Sequence, residues 1–535
     1  MDERATLCSM PLSRTLLRKL NEALLHRRIS EGHTLLNGFC ATIAAIEPKD
    51  PLAIAGLLCL AQWIDTGYGS YKLLNRPLAR LKRANNAEVK LIDFVRLKTI
   101  EGYQAFAHEN MVAAIAAFAF VLQVGEGQVD TFLIAQTHFW KGRAHRSQGE
   151  YELALDHILT AKRAAVALDA PKFLAAIKIH ESWLLFQRGQ LKDASRLLDE
   201  AEDELRSTGH YLSLGNIESA RGRFVRRSGE YAKALMHFER AVDLYSLQGF
   251  EHPNMARALV NAAYVKRLIA LDLRERSNPQ RARAAHHVRF IEICQEALDL
   301  LTRAGKIYAA HDHASGSGSV CVNAAHLHLD CGDIDLAEER ANAAFRLGDE
   351  RKDHILMSRA CTLQAQIHHE RAEEQIGDAT DTAVHANHAK TWAEEAIAIA
   401  KTTQNKRLLA NAYITRSTVA TGDFFQDWET AKQFAALAGE LLSRDDRDHL
   451  SKELGQLKTR ILRATGIHDM LRAWSDGIVH DKTFQQVTEE FAEIVIPKVW
   501  LREERKISRV VKKLCISPKK VRRILRNANL LADDI

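Results

Sequence analysis

The sequence predicts an all-α fold, a long solenoid of stacked helical pairs followed by a small basic helical unit. Three observations lead there. The chain has 535 residues, with only 9 Pro and abundant Ala, Leu, Glu, Arg and Lys, a composition that favours helix over sheet. That length exceeds what one compact core serves, so an array or several domains is expected. A pattern of small and aromatic residues recurs at a period of about 40 residues.

Read along the chain, residues 1–90 are expected to be helical pairs of divergent register. From 91 to 465 the repeat can be phased. In GRAHRSQGEYELALDHILTA the key positions are Gly142, Gly149, Tyr151, Ala154 and Ala161. The preceding copy has Gly102, Met111, Ala114, Phe118 and Val121. The following copies have Gly189, Leu191, Ala194 and Ala201, then Gly222, Gly229, Tyr231, Ala234, Phe238 and Ala241. Looser copies follow at Gly332, Ile334, Ala337 and Ala344, at Ala393, Ile397 and Ala400, and at Ala431, Ala435 and Ala438. Small residues belong where the two helices of a pair, A and B, cross closely. The Gly before an aromatic or aliphatic residue ends helix A. Apolar residues at i, i+3, i+4 and i+7 face the partner helix, and one pair cannot bury that face alone, so neighbours stack.

The pattern resembles the tetratricopeptide repeat (TPR) family, and Gly229, Tyr231, Ala234, Phe238 and Ala241 follow its consensus. The period departs from that family's 34 residues. The additional residues fall between helix B and the next helix A, as in VGEGQVDTFL and QGFEHPNMAR. Two segments interrupt the array, an Arg/His-rich one at 274–289 and an acidic one at 370–388; both read as solvated helix extensions and loops. The GSGS at 315–318 reads as an inter-repeat loop.

Arrays that resemble TPRs bind ligands on the concave face formed by helix A. The 40-residue register places two columns there: Tyr103, Arg143, Trp183, Arg223, and Phe106, Arg146, Phe186, Arg226. Arginine alternates with aromatic residues in both, which suits a peptide, an acidic protein partner or a nucleotide.

The C-terminal segment, 468–535, has a different character. Between Lys498 and Arg526 there are 12 Lys/Arg against Glu503 and Glu504, a net +10 out of the chain's +6, which leaves −4 on the rest. Such asymmetry points to a nucleic-acid-binding end. Phe484, Val487, Phe491 and Ile494 stripe a first helix. A short helix runs from Lys506 to Leu514, and Cys515-Ile516-Ser517 turns. Ser517 caps a basic helix that enters on Pro518 and runs to Arg526. Short helix, tight turn and capped basic helix is a helix-turn-helix layout. Lys519, Lys520, Arg522, Arg523 and Arg526 would meet phosphates and base edges, with Lys506, Arg509, Lys512 and Lys513 on the flanking backbone.

This segment resembles the Fis-type DNA-binding domain of bacterial enhancer-binding activators. EFAEIVIP is similar to that family's glutamate-phenylalanine helix, and ISRVVKKLCISPKKVRRIL aligns with its helical core without a gap. Ser508 and Arg509 match its Ser/Thr-Arg pair, and Ser517, Lys520, Arg522 and Arg523 match its recognition helix. Where the family has glycine-asparagine this chain has Arg505-Lys506, and where it has a turn glycine this chain has Cys515. The resemblance implies double-stranded DNA as a partner and homodimerisation through Phe484, Val487, Phe491 and Ile494.

Several function classes find no support. The start, MDERATLCSM, is charged and is not followed by an apolar stretch, so no secretory signal is expected. The longest apolar run, Met111–Val124, is too short to span a bilayer. The cysteines at 8, 40, 59, 294, 321, 331, 361 and 515 form no C-x-x-C and read as reduced thiols of a cytoplasmic protein. No phosphate loop, nucleophile elbow or zincin motif occurs, so no enzyme and no cofactor is expected. The 24 histidines include adjacent and i+2 pairs, which diverge on a helix and chelate poorly, so no metal is expected. The sequence therefore suggests a transcriptional regulator that senses a peptide or protein. A protein–protein adaptor with a basic tail is the alternative.

Overall fold

In the computed structural model the described residues are 12–45, 50–83, 90–247, 251–275, 283–374, 379–443, 446–464, 482–527 and 530–531. These form 24 helices and no strand. They group into two compact units, Met1–Leu454 and Gly455–Ile535. The boundary expected at 465–468 lies outside the described residues, as do the centres of the two interrupting segments, 276–282 and 375–378. So do the MDERATLCSM start and residues 248–250 of QGFEHPNMAR.

The first unit is an array of antiparallel helix pairs. The N-terminal pairs are α1 (Arg14–Leu25) with α2 (Ile29–Ala45) and α3 (Ala53–Ile64) with α4 (Lys72–Arg83). Then come α5 (Leu91–Ala107) with α6 (Met111–Val124), α7 (Thr131–Gln148) with α8 (Tyr151–Ala167), and α9 (Pro171–Gln187) with α10 (Leu191–Leu205). The array continues with α11 (Tyr211–Arg227) and α12 (Tyr231–Ser246), α13 (Pro253–Glu275) and α14 (Arg283–Ala310), and α15 (Ala314–Asp330) and α16 (Ile334–Arg351). The last pairs are α17 (His354–Glu373) with α18 (Ala379–Lys401) and α19 (Lys406–Thr421) with α20 (Trp428–Leu441). Helix α21 (His449–Ala464) crosses the division between the units. Among the described residues, no helix is long and apolar enough to cross a membrane.

The repeat residues build this packing. Ala114, Ala154, Ala194, Ala234, Ala337, Ala393 and Ala431 on the B helices are all fully buried. On the A helices, a Cβ at Gly102 would lie 2.5 Å from the Phe118 ring, and one at Gly222 would lie 2.9 Å from Phe238. Glycine there lets the helices close onto an aromatic side chain. Gly149 ends α7 in the left-handed conformation at φ 83°, where a glycine carries no steric penalty. A copy that the sequence pattern did not reveal lies in α14, where Ala297 and Ala304 are fully buried. The expected loop at 315–318 is instead the first turns of α15. A Cβ at Gly316 would lie 2.4 Å from the Tyr308 ring, and one at Gly318 would lie 2.2 Å from the Leu356 side chain. These glycines permit close helix packing rather than a bend in the chain.

The superhelix winds far enough to meet itself. Lys72 pairs with Asp312 at 2.8 Å. Glu109 pairs with His313 at 2.8 Å and accepts the Ser315 N–H. The Gly149 carbonyl accepts the Gln404 N–H at 3.0 Å, and the Arg227 carbonyl accepts the Arg447 N–H at 3.1 Å. Glu109 and Ser315 are 206 positions apart, and the Gln404 side chain also accepts the N–H of Glu152, 252 positions away. The concave face of the A helices therefore becomes the wall of a central cavity.

In the second unit α22 (Phe484–Arg502), α23 (Ile507–Leu514) and α24 (Pro518–Asn527) enclose a small core of Ile496, Trp500, Val510, Val521, Ile524 and Leu525. Thr483 opens α22 with a capping box to Gln486. Ser517 Oγ accepts the Lys520 N–H at 3.2 Å at the start of α24. The two positions where the resemblance expects glycine, Arg505 and Cys515, both take left-handed backbone, at φ 59° and 51°.

Candidate functional site

The central cavity of the first unit has a volume of about 1090 Å³. That is just above the roughly 300–1,000 Å³ typical of small-molecule sites. Successive A helices supply its wall. Phe106, Arg143, Arg146, Trp183, Phe186, Arg223 and Arg226, seven of the eight column residues read from the sequence, line it. Tyr103 does not. It is fully buried, edge-on to Trp140 at 4.8 Å and to Phe118 at 5.8 Å. Its register position points between helices, so its place in the column is corrected to core.

Arginines stack on aromatic rings within the wall, and Arg146 on Trp183 joins two residues of the columns. Arg143 lies over the Trp140 ring at 3.9 Å, Arg146 over Trp183 at 5.1 Å, Arg226 over Tyr264 at 4.9 Å and Arg227 over Phe186 at 3.7 Å. Each ring holds a guanidinium by its face through cation–π attraction, so its N–H groups make hydrogen bonds in the plane of the group.

The electrostatics are unbalanced. Arg143 is paired with Asp65 at 2.7 Å, and Arg267 with Asp330 at 3.0 Å. Among the described residues, no carboxylate lies within ion-pair distance of Arg146, Arg223, Arg226, Arg257 or Arg359. Arg146 donates instead to the Nδ1 of His180 at 3.1 Å, and Arg226 donates to Asn261 at 3.2 Å. The Arg223 Nε has no hydrogen-bond partner. Burial, then the neighbouring Arg257, pushes Arg146 down to about 9 and Arg223 to about 10. Both stay protonated at neutral pH. Burial, then the surrounding arginines, holds His180 well below the ordinary histidine value, so it remains neutral. The cavity thus concentrates positive charge that the protein itself does not neutralise.

Several lining residues were not read from the sequence: Trp140, His180, Arg257, Tyr264, Arg267 and Arg359. Trp140 and His180 sit one turn before Arg143 and Trp183, so the 40-residue register extended by one turn finds them. Arg257, Tyr264 and Arg267 lie on α13 itself, off the two columns, and Arg359 follows the lengthened α14, where the register slips.

On the second unit the residues expected to meet DNA lie on the outside of the three helices. Lys506, Ser508, Arg509, Lys512, Lys513, Ser517, Lys519, Arg522, Arg523 and Arg526 are exposed, and Lys520 is half-buried. Some carry acidic partners. Glu489 on α22 pairs with both Lys520, at 3.0 Å, and Arg523. Glu504 pairs with Lys506 at 3.0 Å and Arg509 at 2.9 Å, and Glu503 pairs with Lys513. Of the expected dimer face, Phe484 is 87% exposed and Phe491 exposed, while Val487 and Ile494 are half-buried.

No protein-family model and no curated protein matches the chain. Solved structures do. A Rap protein complexed with Competence and Sporulation Factor superposes with a TM-score of 0.51 at 12% identity, covering 72% of this chain and 98% of that one. The apo form of the quorum sensor NprR from B. thuringiensis gives 0.42 at 12% identity, covering 80% and 98%. A STAND protein with a tetratricopeptide repeat sensor from Pyrococcus horikoshii gives 0.42 at 11%, covering 85% and 68%. The likeness concerns the fold: the body of this chain is a TPR-like α-solenoid.

Proposed function

We propose that the chain is a DNA-binding regulator whose solenoid receives a short anionic peptide, or an anionic segment of a protein, in its central cavity. The observation that carries this is the group Arg146, Arg223 and Arg257, held around His180 without a carboxylate partner. Arg146 and Arg223 are half-buried and Arg257 is exposed. Guanidiniums crowded together without a carboxylate repel one another, and an incoming carboxylate relieves that cost with charge-assisted, bidentate hydrogen bonds. Trp183, Phe186 and Tyr264 offer apolar faces for side chains or peptide planes. A volume of about 1090 Å³ suits a ligand larger than a small metabolite. A Rap protein of this fold is solved in complex with Competence and Sporulation Factor, a fold-level parallel for ligand capture.

The second unit is the proposed output. Its layout of capped basic helix after a tight turn, its resemblance to Fis-type domains and its +10 charge support duplex DNA as partner. The exposed Phe484 and Phe491 support pairing of two copies through α22, which would present two basic helices to two half-sites.

The cavity reading is tested by screening pools of short acidic peptides for a rise in melting temperature of the full chain. A peptide that stabilises the native chain and fails to stabilise an R146M/R223M variant supports it. Stabilisation of both to the same extent, or only by uncharged peptides, contradicts it.

A further inference from the structure

Away from the central cavity, three histidines converge on one point between α17 and α18. His368 of α17 and His385 and His388 of α18 each offer a ring nitrogen, and these atoms lie within 4.8 Å of one another. The Nδ1 atoms of His368 and His385 are 3.2 Å apart. In a tetrahedral site with metal–nitrogen bonds of about 2.0–2.1 Å, neighbouring ligand nitrogens sit about 3.3 Å apart. The pair is therefore already at ligand spacing. His385 and His388 are three positions apart on one helix, so they share a face, unlike adjacent histidines. His388 is exposed and can swing its ring to close the triangle.

The surroundings match a metal site as well. The far nitrogen of His368, Nε2, faces Glu338 Oε1 of α16 at 3.9 Å. Arg371 holds Glu338 in place with an ion pair of 2.8 Å. A carboxylate behind a histidine ligand orients the ring and raises its basicity toward a metal. A hydrogen bond between the two rings would account for the 3.2 Å separation, but not for the third ring.

We propose that His368, His385 and His388 bind a borderline transition-metal dication such as Zn²⁺, with Glu338 as a positioning residue and solvent in the fourth position. Three imidazoles with an open position suit such ions rather than Ca²⁺ or Mg²⁺, which take oxygen ligands. Bound metal ties α18 to α17, and α17 also sends His369 and Glu370 into the wall of the central cavity. The metal thus fastens one side of the chamber.

The test uses the full chain without a histidine tag. Zn²⁺ is titrated calorimetrically, and Co²⁺ is followed through its visible absorption, which is intense only in four-coordinate sites. The expected result is one ion per chain, lost in H385A/H388A and retained in H138A/H157A. The latter pair removes a second close histidine contact, of 2.9 Å. An E338Q variant is expected to bind about 10- to 100-fold more weakly; undiminished affinity would remove Glu338 from the site. Absence of one-to-one binding, or equal binding by the native chain and H385A/H388A, would overturn the proposal.

Discussion

Replacing Arg223 with methionine should make the ligand-free chain more stable, although it deletes a charged side chain from the heart of the solenoid. Arg223 faces the cavity with no ion-pair partner among the described residues and an unpartnered Nε. Burial, then Arg257 and Arg226, pushes it from 12.5 down to about 10. At about 1.4 kcal/mol per factor of ten, that displacement bounds the electrostatic cost near 3 kcal/mol. Water in the open cavity screens part of it, leaving about 1–2 kcal/mol. Opposing effects are small. Methionine keeps most of the packing volume, and among the described residues no aromatic face holds Arg223 as Trp183 holds Arg146. The substitution should therefore raise the denaturation midpoint of the free chain while weakening an anionic ligand by about 10- to 100-fold, the worth of a charged hydrogen bond. Urea denaturation followed by helical circular dichroism measures the first. A variant that retains its helicity yet unfolds at lower urea would refute the claim that the arginine cluster stores unrelieved charge.

Other consequences are open to direct measurement. C515G should stabilise the second unit by about 0.5–1 kcal/mol, the relief of a left-handed side chain at φ 51° less glycine's greater chain entropy; an unchanged or lower melting temperature would count against strain at that turn. E489Q releases Lys520 and Arg523 from an acidic partner, so affinity for duplex DNA should rise about 2- to 10-fold; unchanged affinity would place those two residues away from the DNA. Burial pushes His138 to about 4, His157 to about 3 and His252 to about 3, all below the unfolded value near 6.5. The unfolded chain then binds more protons below that value, so stability is full above pH 6.5 and falls as the solution is acidified toward pH 4. Melting temperatures that stay level from pH 7 to pH 5 would contradict this.

How legible these features were in the sequence follows from their physics. The helix pairs were legible because close crossings need small residues at fixed positions. Gly102, Gly222 and the alanines from Ala114 to Ala431 mark those crossings in the chain itself. The register failed where helices lengthen. The 23-residue α13 and 28-residue α14 shift the phase downstream, which hid the copy at Ala297 and the lining residue Arg359, whereas Arg257 and Tyr264 lie on α13 off the two columns. The glycines of GSGS misled because glycine serves both turns and tight helix contacts, and only the facing Tyr308 and Leu356 decide between them. Tyr103 misled for a related reason: a repeat fixes the position along the helix, whereas the neighbouring Trp140 and Phe118 draw its ring inward. The histidine cluster escaped notice because its members come from two helices, and only His385-x-x-His388 was local enough to see.

The most direct test of the account is the salt dependence of duplex DNA binding by the full chain, compared with a K519E/R522E variant. Lys519 and Arg522 are exposed on α24. Binding is expected at low salt and should weaken linearly on logarithmic axes, with a slope of about −0.9 for each phosphate contacted. The variant should bind more weakly and show a slope shallower by about two contacts. No binding to any duplex at low salt, or identical slopes for the two proteins, would contradict a DNA-binding end. The chain would then be a ligand-binding scaffold with a charged tail.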